Sequence, residues 1–180
     1  MVNVLEYFAF WIFRLMRILR VHKLLHLGVQ TRQFTDYFKG FEKVEAVRGI
    51  FGEETEKVLS KLKVEFTWIG GYMFVDGTEG RLVINSQYLS SGDKIDIYLD
   101  LIHELFHIRQ LREGRELFDA RYEYVERPTE VEAYRYTVKE ARRLGLSDER
   151  ILQYLKTEWM TRGDLVKLAK YVGVECRSDA

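Results

Sequence analysis

One cysteine, Cys176, and one proline, Pro128, stand in a sequence of 180 residues. A lone cysteine excludes an internal disulfide framework and a zinc ribbon, and it suits a reducing compartment such as the cytoplasm. Neither sign of charge is in excess: Lys plus Arg and Asp plus Glu each number 28, so no global charge argues for nucleic acid as a partner. Long apolar runs are missing too. The amphipathic N-terminal stretch is free of charge only from Tyr7 to Phe13, far short of the roughly 20 residues that span a bilayer. With no low-complexity tract or repeat, the length suits one domain. Residues 1–30 are expected to form an arm, 31–174 the body and 175–180 a loose tail.

What is present centres on Asp93–Gly114, whose middle reads His103-Glu104-Leu105-Phe106-His107. Two imidazoles four residues apart lie on one face of a helix and can grip one zinc ion, while the glutamate between them can take a proton from a water. At about 100° per residue, Asp96, Asp100, His103, His107 and Gln110 make one narrow polar stripe on an otherwise apolar rod. Such a helix is buried nearly all round, and its polar stripe needs a partner inside. Asp93 is the expected N-cap and Gly114 the expected C′ residue. The competing reading is two core histidines satisfied by carboxylates such as Asp100.

Zinc needs a third protein ligand, and no histidine follows His107. The longer pattern with a downstream Gly and His is absent, since Gln110 and Glu113 occupy those places. A second helix opens at Pro128, and Glu130 lies on its apolar face with Tyr134, Thr137, Val138, Ala141 and Leu144. A carboxylate there is costly unless paired, so Glu130 is the candidate ligand. Glu132 falls among Arg135, Lys139, Arg142 and Arg143 on the solvated side, where an ion pair with Arg135 or Lys139 is expected.

His103-Glu104-x-x-His107 followed by Glu130-x-Glu132-Ala133-Tyr134 resembles the gluzincins, zinc peptidases whose second motif is a helix reading E-x-x-A-D or E-x-x-A-N. Over residues 64–145 it looks most like the minimal domains of repressor-cleaving, radiation-response and prenyl-protein peptidases. The resemblance implies one Zn²⁺ on His103, His107 and Glu130, with Glu104 as general base acting on a peptide or protein substrate. Tyr134 stands where those families place Asp or Asn, so Asp100 is the candidate for steadying a histidine. For the oxyanion, Tyr134 is the nearest candidate, ahead of Tyr124 and Arg135. The alternative is a non-catalytic module of the same shape that binds zinc or docks a partner or membrane.

The expected fold is α+β, mostly helical, with a small antiparallel three-stranded sheet packed on the motif helix. Its strands are Val64–Ile69, Tyr72–Val75 and Arg81–Asn85, separated by Gly70-Gly71 and Asp76-Gly77. By the resemblance, Arg81–Asn85, with Arg81, Val83 and Asn85, is the edge to which a substrate adds as one more strand. Further helices are expected over Glu53–Lys63, from an N-cap at Ser147 to about Met160, and from Asp164 to about Val172. Residues 4–26 are expected to form a cationic amphipathic helix, with Phe8, Trp11, Ile12, Leu15 and Leu19 opposite Arg14, Arg17 and Arg20. Contact with an anionic membrane surface, docking to a partner and packing on the body all remain open for it, as does the oligomeric state. His22 and His26 repeat the spacing of four but lack an intervening glutamate, which argues against a second metal site.

Overall fold

A computed structural model describes residues 30–68 and 71–176. Residues 1–29 of the N-terminal arm, with His22 and His26, and the last four residues of the tail lie outside the described residues, while Gln30, the expected end of the arm, opens the first strand. The chain is α+β, with a four-stranded sheet made of β1 (Gln30–Gln33), β2 (Lys63–Thr67), β3 (Met73–Asp76) and β4 (Arg81–Asn85). Short helices α1 (Phe34–Tyr37), α2 (Glu45–Phe51) and α3 (Thr55–Lys61) lie between β1 and β2. After the sheet come α4 (Ser86–Ser91), α5 (Lys94–Arg112), α6 (Pro128–Arg143), α7 (Asp148–Leu155) and α8 (Arg162–Val172).

Two expectations about the sheet are corrected. It has four strands and is mixed: the order is β1-β2-β4-β3, with β2 and β4 parallel and the other pairs antiparallel. β1 reads Gln-Thr-Arg-Gln and carries no apolar alternation, so only its backbone pairing with β2 makes it a strand. The second correction concerns the edge. β4 is paired on both sides and cannot accept another strand; the edge beside the motif helix is β3. Arg81, Val83 and Asn85 have other work. Arg81 pairs with Glu65 at 2.7 Å, Val83 is buried, and the Asn85 side chain caps α4 by accepting from the Gln87 and Tyr88 N–H groups.

α5 is buried because it is packed from two sides. Leu101, Ile102, Leu105, Phe106 and Ile108 join the core formed by α1–α3 and by Val64, Val75, Leu82 and Ile84 of the sheet. Leu99 faces a second core with Tyr134 and Val138 of α6, Ile151 and Leu155 of α7, and Leu168 and Val172 of α8. Each apolar side chain so buried contributes roughly 1.5–3 kcal/mol, which fixes the helix that carries the motif. Its ends are equally defined. Asp93 accepts from the N–H groups of Ile95 and Asp96, and Gly114, at φ +77°, turns the chain so that the Arg115 N–H reaches the Gln110 carbonyl at 3.0 Å. Two later boundaries differ from expectation: α7 stops at Leu155, and α8 is capped by Thr161, with Asp164 closing a capping box from its third position.

Candidate metal centre

α5 and α6 lie against each other and bring His103, His107 and Glu130 together, with all three about 5% exposed. Four residues, slightly more than one turn, separate the two histidines, and their Nε2 atoms stand 2.9 Å apart. Glu130 Oε2 lies 3.3 Å from His103 Nε2 and 3.4 Å from His107 Nε2. Glu130 sits in the first turn of α6, where the helix N-terminus favours a negative charge. One ligand atom from each of the three falls within 4.8 Å of the others, so the group can hold a metal ion. Glu130 Oε2 is buried without a hydrogen-bond partner, as expected of an atom arranged for a cation; His103 Nδ1, the ring nitrogen turned away from the cluster, is buried without one too.

Without a cation the cluster shares out its protons by charge. Burial alone would raise the Glu130 carboxyl, but the charge of His107 and the closeness of both imidazoles hold it well below the usual range. Burial likewise works against a charged His107, yet Glu130 outweighs it and carries that imidazole up to about 9. His103 is driven down by burial and by the charge of His107.

Glu104 is one residue along the helix and 8% exposed. Burial pushes its carboxyl up to about 8, the charges of Glu130 and Asp100 act in the same direction, and His107 opposes them. The backbone N–H of Val75 donates to it, which ties the side chain to β3. In this antiparallel hairpin the Asn85 N–H bonds the Tyr72 carbonyl, so Tyr72, Phe74 and Asp76 turn their backbone groups toward β4. Met73 and Val75 turn theirs outward, and among the described residues no strand pairs with that side.

The remaining candidates divide. Tyr134 packs its ring 4.3 Å from that of His103, and its hydroxyl shares a 2.9 Å hydrogen bond with Tyr124. Asp100 does not reach a histidine. Its carboxylate accepts from the Tyr88 hydroxyl at 2.5 Å and the Tyr154 hydroxyl at 2.9 Å, joining α5 to α4 and α7. Arg135 points away, donating to the Tyr171 carbonyl. Glu132 pairs with neither Arg135 nor Lys139; it accepts from Arg115 and from Gln110 Nε2. Gln110, fully buried, stands with Oε1 2.8 Å from His107 Nδ1 and is the histidine partner that the motif alone did not assign. Its signal was its place on the polar stripe, one turn past His107. Val75 acts through its backbone, for which a side chain gives no signal.

Comparison with protein-family models, with curated proteins and with solved structures finds no match to the chain. Among the described residues no helix is long and apolar enough to cross a membrane.

Proposed function

We propose that the chain is a zinc-dependent metallopeptidase of the minimal gluzincin type, with His103, His107 and Glu130 as ligands and Glu104 as general base. The observation that carries this reading is the buried convergence of two imidazole nitrogens and one carboxylate oxygen, with a second carboxyl next to them on the same helix. Ligand atoms about 2.0–2.1 Å from a tetrahedral zinc lie about 3.3–3.4 Å from one another, and the two histidine–glutamate spacings match. A zinc ion held there would polarise a peptide carbonyl and acidify a water.

The protein's own groups supply the rest. Glu104, buried beside the ligands on the same helix, is the carboxyl that would take the proton of such a water and pass it to the leaving amine. The Val75 N–H holds that carboxyl against β3, so the base and the strand edge are in register. An extended peptide added along this edge would bond to the N–H and carbonyl of Met73 and the carbonyl of Val75, and would therefore depend little on sequence. Tyr134, beside His103, is the proposed oxyanion donor. The cytoplasm is the proposed location.

The test is zinc analysis of the purified chain together with hydrolysis of a peptide library by the chain and by Glu104→Gln. Stoichiometric zinc in both, with turnover in the first alone, supports the reading; equal cleavage by both overturns the role of Glu104. Burial of all four side chains favours a second reading, a closed structural zinc site in a non-catalytic module, because a catalytic metal keeps one position open. A small hydroxamate that binds the zinc-loaded chain but not the metal-free chain separates an open site from a closed one.

A further inference from the structure

The two histidines of the centre are held differently. His103 Nδ1 has no hydrogen-bond partner among the described residues, whereas His107 Nδ1 faces Gln110 Oε1 at 2.8 Å. The amide of Gln110 has only one sensible orientation. Its Nε2 donates to the Thr129 carbonyl at 3.0 Å and to Glu132 Oε2 at 3.1 Å, and reversing it would set Oε1 against two oxygens. Oε1 therefore faces His107, and Nδ1 carries the hydrogen between them. In the neutral ring this leaves the lone pair on Nε2, the atom that faces His103 Nε2 and Glu130 Oε2. That is the tautomer a metal ligand needs.

Gln110 is itself braced in a closed circuit. Its carbonyl accepts the Arg115 N–H at 3.0 Å across the turn made by Gly114, and the Arg115 guanidinium donates to the same Glu132 oxygen that Gln110 Nε2 reaches. The circuit joins the C-terminal end of α5 to the first turns of α6, the two helices that carry the ligands. Fully buried, the amide would be expensive with a partner missing, and here both ends are satisfied.

We propose that Gln110, braced by Glu132 and Arg115, is the positioning residue that fixes the tautomer of His107 and thereby sets how tightly the centre holds zinc. The inference rests on the zinc reading above, and the experiment separates the two. Zn²⁺ is titrated against a chromophoric chelator in competition with the full chain, and the metal-free proteins are compared by thermal unfolding. Gln110→Leu, close in volume but without an acceptor, is expected to weaken zinc binding by about 10- to 100-fold. The swapped pair Gln110→Glu with Glu132→Gln keeps the net charge and restores an acceptor to His107, and is expected to return to within about threefold of the unmodified chain. If Gln110→Leu does not fold, Glu132→Leu, at a partly exposed position, decides the matter by a smaller loss of affinity. A folded Gln110→Leu with unchanged affinity overturns this inference alone, as does a swapped pair no better than Gln110→Leu. An unmodified chain that binds no zinc overturns the zinc reading and this inference with it.

Discussion

The ring nitrogens of His103 and His107 face each other across 2.9 Å, with Glu130 Oε2 within 3.4 Å of both. At that spacing the two nitrogens cannot both carry hydrogens aimed at each other, and three electron-rich atoms share one small volume. A single proton relieves the crowding in part, as an imidazolium beside a carboxylate. A divalent cation relieves it more fully, because it satisfies all three lone pairs at once.

Zinc should therefore stabilise the fold measurably. At a free concentration about 100 times the dissociation constant the gain is about 2.7 kcal/mol, or a rise of roughly 5–10 °C in the unfolding midpoint for a chain of this size. Thermal scans in zinc and in chelator measure it. His107→Ala and Glu130→Ala should lose most of the difference, and an equal response in all three proteins would remove the centre from consideration.

Glu104→Gln should keep the zinc-dependent rise in midpoint while peptide hydrolysis drops by about 10²- to 10⁴-fold. The amide has nearly the same shape and, like the carboxyl that burial raises to about 8, is uncharged near neutral pH, so the variant should be no less stable than the parent. Residual turnover and midpoint are read on the same preparation. A large loss of stability would mean that this side chain serves the fold rather than the reaction.

At the strand edge, Met73→Pro removes an outward-pointing backbone N–H without touching the pairing of β3 with β4. Loss of one main-chain hydrogen bond to substrate, about 1 kcal/mol, should raise KM by roughly fivefold. Zinc affinity should not move. An unchanged KM would place the substrate elsewhere.

Asp100 gives the fold a pH dependence of its own. Burial raises its carboxyl to about 6, against the pull of the Tyr88 and Tyr154 hydroxyls. The unfolded chain releases this proton near the ordinary value of about 3.9, so between there and 6 the folded state binds the extra proton. Stability from this group is full below about pH 4 and falls by about 3 kcal/mol as pH rises to 6 and beyond. Denaturant unfolding from pH 4 to 7 should show that slope in the parent and a flatter one in Asp100→Asn; parallel slopes would rule Asp100 out as its source.

Where the fold follows local chemistry, the sequence is sufficient. Asp93 caps α5, Gly114 ends it, Ser147 caps α7, and helical periodicity put Glu130 on the inward face of α6, where it meets the histidines. Non-local pairing is what escapes. The parallel join of Val64 with Leu82 makes β4 an inner strand, and no short window of residues carries that information. Glu132 illustrates the same limit at one side chain. Its angular position on α6 is on the polar side as expected, but its partner Arg115 comes from the end of another helix, beyond the reach of i,i+3 or i,i+4 reasoning.

The strand order also governs when Glu104 can be aimed at the His103, His107 and Glu130 cluster during refolding. β3 and β4 are joined by the short segment 77–80 and can zip as a hairpin, whereas β2 must wait for that hairpin to dock before its parallel join closes. Val75, the residue that holds Glu104, travels with the hairpin. Helix formation and zinc capture by α5 and α6 therefore need not await the sheet, but a correctly aimed Glu104 does, and activity should recover more slowly than metal uptake.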